Sequence, residues 1–405
     1  MSEEQESIRH PVAGRLLRVT AVATAALAIY QIFNLGAYTG FTMLTSQYIY
    51  GLLAMMLPMV FVAIPAGRGR RVNTTPWYDW LLALASIGCC VFFIIYSNEA
   101  VDEGWEYMAP QHVVYISLLT WAIALEATRR CGGWPIFVVV FMASLFPMLA
   151  GYLPDSFAGI STPIDLVAIY HTNSDESLLG IPSQAFANLV IGFLLFGIAL
   201  QRTGGGKFFI DLAFALLGKV RGGPAKVSIF SSGLMGSMSG SVVTNVLTTG
   251  PLSIPAMRKV GFTKTYAAGV ETCASTGGVL MPPVMGATAF VMATFLDIPY
   301  GEIALAAAIP SALYFFGLFI QIDFYSARNG LKGLPAIDLP KIRQTLKEGW
   351  HYIFVFAFLI WMLLFMKQEA IAPFYATALL LVINQLRKHS RWQWKDFKEF
   401  AESCG

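Results

Sequence analysis

Long apolar runs alternate with short polar breaks through most of the chain. They fall at about 19–35, 48–66, 80–96, 113–125, 134–153 and 186–200, and again at 303–322, 352–366 and 371–386. A bilayer span takes about 20 mostly apolar residues, and this apolar stock suffices for roughly ten transmembrane helices with polar ends left over. The predicted fold is therefore an all-α polytopic membrane protein. Between 224 and 296 the pattern is less regular, and that irregular stretch holds the most unusual residues.

Composition agrees. The 405 residues are 56% hydrophobic and only 13% charged, with a mean hydropathy of +0.61, which excludes a water-soluble domain. The net charge of +3 is too balanced for a nucleic-acid partner. The start, MSEEQESIRH, is acidic and polar, so a cleaved signal peptide is not expected. Cys89, Cys90, Cys131, Cys273 and Cys404 have no metal-ligand spacing and are expected to be buried thiols. His10, His112, His171, His351 and His389 are scattered, so no metal site is expected.

Basic residues set the topology, because cytoplasmic loops hold Lys and Arg. Arg9, Arg15 and Arg18 precede the first run, Arg68, Arg70 and Arg71 follow the second, and Arg129 and Arg130 follow the fourth. Glu99, Asp102, Glu103 and Glu106 occupy an odd loop, so the amino terminus is predicted inside. Glu126 beside Arg129 and Arg130 reads as an interfacial ion pair. The fifth run then ends outside near Asp155, and the sixth returns to Arg202, Lys207, Lys219, Arg221 and Lys226.

Residues 227–257 are apolar enough to enter the membrane, yet Arg258, Lys259 and Lys264 beyond them are as basic as the near side. Both ends must lie in the cytoplasm. Two helices of about 14 residues reach only some 21 Å, less than a roughly 30 Å hydrocarbon core, so a re-entrant hairpin at about 224–257 is predicted. From 265 to 297 the chain stays membrane-compatible, some 45 Å as one helix. The sequence STGGVLMPP at 275–283 breaks it, which predicts a discontinuous helix. Residues 208–217, with Phe209, Leu212, Ala213 and Leu216 on one face, and the segment 328–348, with Ile342 and Leu346, read as amphipathic connectors at the cytoplasmic surface.

The hairpin tip, GSMSGSVVTNVLTTG at 236–250, concentrates Gly, hydroxyl and amide groups inside a membrane segment. Backbone that leaves helical pairing at that depth must be buried in protein or line a wet cavity. Ser237, Ser239, Ser241, Thr244 and Asn245, with freed carbonyls, offer neutral hard oxygens suited to an alkali cation. Helix packing by small residues is the other account of the same pattern. The first half-helix is expected to end around Thr276, Gly277 and Gly278, whose carbonyls attract cations. The second is expected to start near Pro282 and Pro283, with amides suited to an anion. A proline kink with a packing role is the alternative.

Glu271 stands one to two turns before the break in an otherwise uncharged run. It either couples to protons or holds a network, or else lies near the interface and pairs with Lys264. No Lys or Arg falls inside the predicted core, so a guanidinium clamp for a carboxylate is missing from it. A serine hydrolase built on Ser239 or Ser241 would need a base, and no His occurs between His171 and His351.

The stretches GGGKFFIDLAFALLGKVRGGPAKV, GSMSGSVVTNVLTTGPLSIPAMRKVGF, ETCASTGGVLMPPVMGATAF and IPYGEIALAAAIPSALYFFGLF make residues 162–331 resemble the large membrane subunit of a tripartite ATP-independent periplasmic (TRAP) transporter. The resemblance is specifically to TAXI-type permeases with fused small and large subunits. It implies an elevator-type secondary transporter in a bacterial inner membrane, not an enzyme, taking a small organic anion from a periplasmic TAXI-type solute-binding protein. A sodium ion would be held by Ser237, Ser239, Ser241 and Asn245 with Thr276, Gly277 and Gly278, a proton at Glu271 being the alternative coupling ion; Thr244, Pro282 and Pro283 would face the substrate. No other cofactor is implied.

By the same resemblance, residues 1–131 correspond to the four-helix small subunit, 132–160 to a connecting transmembrane helix, and 161–405 to the first repeat of the large subunit. Large subunits carry two inverted repeats, whereas the hairpin and STGGVLMPP occur here once. A second polypeptide with the other repeat, a second copy, or a truncated and inactive scaffold chain would account for that, truncation being the expectation.

Overall fold

A computed structural model describes residues 11–66, 75–152, 154, 159–387 and 391–404. Arg9, His10, Arg68, Arg70, Arg71, Asp155 and His389 lie outside them. The described residues form helices and no strand. Six helices are long and apolar enough to cross a membrane: Thr45–Ala63, Trp77–Ile95, Gln111–Tyr152, Ile181–Arg202, Tyr300–Arg328 and Ile342–Met366. Three shorter apolar helices, Leu16–Ile32, Ala287–Leu296 and Ala372–Leu386, accompany them. Two compact units divide between Ala187 and Asn188.

In the first unit, α1 (Pro11–Ile32) packs on α2 (Thr45–Ala63), α2 on α3 (Trp77–Ile95), α3 on α4 (Gln111–Leu149), and α4 on α5 (Ile164–Asn173). Phe61, Val62, Ala83, Cys89, Ile123 and Ala127 form one buried cluster there. The expected gap between the fourth and fifth apolar runs is a kink within α4 rather than a loop. Gly133 takes φ 74° and ψ −179°, a conformation that glycine alone adopts readily, and Pro135 follows it. Of the thiols, Cys89 and Cys90 are buried as expected, whereas Cys131 and Cys273 are exposed. Cys404 is half-buried.

The ion pair at Glu126 extends into a buried network. The Arg130 side chain is 1% exposed and donates to Asp79 Oδ1 at 2.6 Å and Glu126 Oε1 at 2.9 Å. Arg130 Nη1 also donates to the carbonyls of Ile64 at 3.1 Å and Phe61 at 3.4 Å. Arg129 Nη1 donates to Ala66 O at 3.1 Å. These guanidinium groups cap the carboxyl end of α2, where orphan carbonyls carry the negative dipole end.

The second unit comprises α6 (Ile191–Arg202), α7 (Gly205–Leu217), α8 (Gly223–Ser239), α9 (Val242–Lys259), α10 (Lys264–Gly278), α11 (Ala287–Leu296), α12 (Tyr300–Arg328), α13 (Ile342–Trp361), α14 (Ala372–Leu386) and α15 (Trp394–Ser403). Helices α8, α9 and α10 pack mutually, with α12 against α8 and α10. The predicted connector at 208–217 is α7, but its buried face is Phe208, Phe209, Ile210 and Ala213, while Leu216 is 45% exposed. The rotation follows from α13: Gly349 leaves room that the Phe208 ring occupies, and Phe208 lies 5.4 Å from the Tyr352 ring. Ile342 and Leu346 lie in the first turns of α13, so that predicted connector is the start of the next long helix.

Because Arg130 and Asp79 are both buried, removing one strands the other. Arg130→Ala is expected to destabilise the first unit by about 3–5 kcal/mol, and Arg130→Met with Asp79→Leu by much less. Thermal unfolding of the detergent-solubilised protein checks both.

Candidate functional site

The irregular stretch folds into a helical hairpin followed by a broken helix. Helix α8 ends at Gly240, whose φ of +59° reverses the chain, and Ser241 caps α9 by accepting from the Thr244 amide at 3.3 Å. The two arms have 17 and 18 residues, longer than the expected 14, because α8 begins directly after the left-handed Gly222 and α9 continues through Pro251 and Pro255. At 1.5 Å per residue each arm is about 26 Å long, still short of a full span.

Helix α10 ends at Gly278, and the chain stays out of α-helix until Ala287. The break therefore sits at 279–286, a few residues beyond the expected position, because STGG completes the last turn of α10. Pro282 and Pro283 consequently lie inside the connecting loop rather than at the start of the second half-helix, whose cap is Gly286.

The tip and the break satisfy each other. The Val284 amide donates to Ser237 O at 3.2 Å, and the Gly286 amide to Val279 O at 2.9 Å. Tyr300, fully buried, donates its hydroxyl to Pro283 O at 3.0 Å and contacts Val284 O. A side chain at Gly240 would collide with Met285 O.

Asn245 sits where α8, α9 and α10 meet and is 1% exposed. Its Nδ2 donates to Ser232 O at 2.8 Å, which fixes the amide orientation because a carbonyl only accepts. A methyl group on Gly278 would lie 2.8 Å from Nδ2, and one on Gly236 2.9 Å from it. Asn245 Oδ1 accepts from no described residue. A buried acceptor without a donor is costly, and either a hydrogen-bond donor or a cation would relieve it.

Glu271, on α10, is fully buried and lies nowhere near an interfacial pairing with Lys264. Its carboxyl group accepts from Ser228 at 2.7 Å, from Ser232 and Ser275 at 3.3 Å each, and from Thr249 and Ser253. The donors come from α8, α9 and α10, so one carboxyl group ties three helices together. The carboxyl group thus sits in a hydrogen-bonded network rather than beside Lys264.

Residues 119–405 match the family described as Tripartite ATP-independent periplasmic transporter, DctM component. The chain belongs to the DctM family. This DctM-family chain is 30% identical over 205 residues to the C4-dicarboxylate TRAP transporter large permease protein DctM of Vibrio cholerae, covering 48% of this chain and 45% of that one. It is 26% identical over 219 residues to the sialic acid TRAP transporter large permease protein SiaM of the same organism, covering 54% and 47%. It is 27% identical over 204 residues to the isethionate TRAP transporter permease protein DctMQ of Oleidesulfovibrio alaskensis, covering 50% and 30%. The matched stretch thus spans less than half the length of each of these relatives.

Within this DctM-family chain the expected site residues fall into two groups. Asn245, Gly278 and Ser237 meet directly or through the break loop. Ser239 and Ser241 form the turn, the Ser239 hydroxyl donating to Ser241 O at 3.4 Å. The Gly278 carbonyl accepts from the Met281 amide at 3.2 Å and keeps a second lone pair for a ligand, whereas the Gly277 carbonyl accepts from both the Leu280 amide, at 3.0 Å, and the Val279 amide. Thr276 stands apart: it is exposed, and its hydroxyl donates to Thr272 O at 2.8 Å. Thr244 is half-buried in the first turn of α9, with its carbonyl accepting from Thr248 at 2.7 Å.

The sequence reading missed Ser228, Ser232, Thr249, Ser253 and Ser275. A signal was present: Ser228 and Ser232, Thr249 and Ser253, and Glu271 and Ser275 are three pairs spaced by four, each on one face of its helix. Continued along those faces, the stripes reach Gly236, Asn245 and Gly278.

Overpacking at the crossing generates a prediction for this family member. Gly278→Ala should destabilise the protein by about 1–3 kcal/mol, because Ser232 O and the Asn245 amide leave no space for a methyl group. Gly269→Ala on the same helix meets nothing within 4 Å and should be neutral or stabilising by up to about 1 kcal/mol. Unfolding temperatures of the two variants side by side check this.

Proposed function

We propose that this chain is the permease component of a TRAP-type secondary active transporter that imports small organic anions across a bacterial inner membrane, coupled to sodium. The observation that carries the reading is the buried, undonated Asn245 Oδ1 at the junction of the hairpin and the broken helix. Neutral oxygens from Ser237, Ser239, Ser241 and Asn245, with the Gly277 and Gly278 carbonyls at the end of α10, form the cation's ligand set, and the exposed Thr276 is left out of it. They strip its hydration shell and leave its charge uncancelled, so a bound cation attracts an anion. The anion sits beside Thr244 and the loop holding Pro282 and Pro283, with the free amides at the start of α11 facing its charge.

The relatives' substrates, C4-dicarboxylates, sialic acid and isethionate by their names, support an organic anion as cargo. The TRAP family assignment supports a periplasmic solute-binding protein as partner, of the TAXI type by sequence resemblance. In this reading the amino terminus is cytoplasmic, and residues 1–131 with the helix at 132–160 stay fixed while the hairpin and broken helix move as an elevator. A polypeptide or copy carrying the second repeat completes the substrate site.

The test is uptake of a panel of labelled organic acids by proteoliposomes holding the complete transporter and its binding protein, under separate sodium and proton gradients. Uptake should follow the sodium gradient, and Asn245→Ala should lower it at least about tenfold at limiting sodium. Uptake driven by protons alone and indifferent to sodium would overturn the coupling ion and shift attention to Glu271. Full uptake by Asn245→Ala would overturn the site.

A further inference from the structure

The hydroxyl cage around Glu271 and the amide of Asn245 share two residues. Ser232 reaches Glu271 through its hydroxyl at 3.3 Å, while its carbonyl accepts from Asn245 Nδ2 at 2.8 Å. The Thr249 hydroxyl shares its single proton between Glu271 and the backbone carbonyl of Asn245, the latter at 2.8 Å. The Ser232 and Thr249 hydroxyls lie 3.2 Å apart. A closed ring therefore runs from the carboxyl group through Ser232 to the Asn245 side chain, and back from the Asn245 backbone through Thr249.

Ordinary helix packing explains none of this polarity. A carboxyl group buried at membrane depth is costly unless fully hydrogen-bonded, and five hydroxyls from three helices provide that. The arrangement also fixes angles that packing leaves free. Once Ser232 and Thr249 are held, the Asn245 amide has one orientation, nitrogen toward Ser232 and oxygen away from it, undonated. Glu271 itself is seven positions before Gly278, about 10 Å along the helix, so it acts on the tip only through these intermediates.

We propose that Glu271 is a positioning residue for the cation site: through Ser232 and Thr249 it sets the orientation of the Asn245 amide and so the affinity for the coupling cation. The proposal rests on the sodium reading above. It gives Glu271 a role distinct from carrying a proton, since the carboxyl group works here as a fixed acceptor throughout transport.

The experiment measures sodium-dependent thermal stabilisation of the complete purified transporter at constant ionic strength, choline replacing sodium, together with the sodium dependence of uptake. Glu271→Gln keeps the shape but turns one acceptor oxygen into a donor facing hydroxyl donors. Its half-saturating sodium concentration should rise about tenfold or more, the usual scale for removing a partner that orients a ligand, while uptake at saturating sodium stays close to wild type. Thr249→Val removes one link without touching the carboxyl group and should raise the same constant, which keeps the test open even where the Glu271 variant folds poorly.

The double variant decides the route. If both act through the ring, its shift equals the larger single shift; independent effects would multiply and overturn the relay. Unchanged sodium affinity in folded Glu271→Gln and Thr249→Val would also overturn it, with the wild type still responding to sodium. A wild type that shows no sodium response would instead overturn the cation reading and the positioning role with it. A merely structural role for Glu271 would lower the unfolding temperature without moving the sodium constant.

Discussion

A peptide group that leaves helical pairing inside a bilayer has no water to turn to, and the second unit is organised around that constraint. Two of the places where the chain leaves α-helical pairing, the Gly240 turn and 279–286, meet in space. Each interruption supplies what the other lacks. The Val284 amide of the break finds the Ser237 carbonyl of the tip, and the left-handed Gly240 lets the turn sit against Met285. The two interruptions pair with each other and so form one structural object. Gly236 and Gly278 let α8 and α10 touch at their backbones, and that contact leaves just the width of one amide, which Asn245 fills.

The two units satisfy their buried carboxyl groups, Asp79 and Glu271, by different means. The first uses full charges: Arg130 is matched against Asp79 and Glu126 and spends its remaining donors on carbonyls at the end of α2. Such a cluster is directional and unforgiving, because losing one member leaves an uncompensated buried charge. The second unit surrounds one carboxyl group with hydroxyls. Hydroxyl rotors adapt at small cost and place no opposite charge beside the hairpin tip. A guanidinium there would repel a cation, whereas a ring of Ser and Thr leaves the local field to be set by neutral dipoles and the end of α10.

The hairpin was legible because charge and length contradicted each other: basic residues at both ends of an apolar stretch too short to cross twice. Residues 224–257 were expected and Gly223–Lys259 is found. The break was legible as STGGVLMPP but displaced, because two glycines were read as leaving the helix when they are its last turn, held in place by close contact with α8. Local propensity describes Gly277 and Gly278 in isolation; packing against Tyr314 and Gly236 decides them. The face of α7 was misjudged for the same reason, since Gly349 on a distant segment determines where Phe208 goes. Glu271 was visible as a lone charge, but its environment was not, because its five donors are spread over 48 positions from Ser228 to Ser275 and meet only once three helices pack.

Packing and binding are usually set against each other as explanations of small and polar residues in membrane helices, and at this junction they are the same arrangement. Gly236 and Gly278 do serve close approach. If close approach were the whole purpose, an apolar side chain of similar size would suit position 245, and it would avoid burying an amide oxygen without a donor, which costs about 1–3 kcal/mol. The structure keeps that cost and holds the amide with the Ser232 carbonyl and the Asn245 backbone with Thr249, both residues reaching Glu271 through their hydroxyls. An acceptor that is expensive to bury and held in one orientation is stabilised when a donor or a cation meets it, and the proposed function assigns that place to the cation. Gly236 and Gly278 bring the helices close enough that, in the proposed function, whatever meets that oxygen must be small.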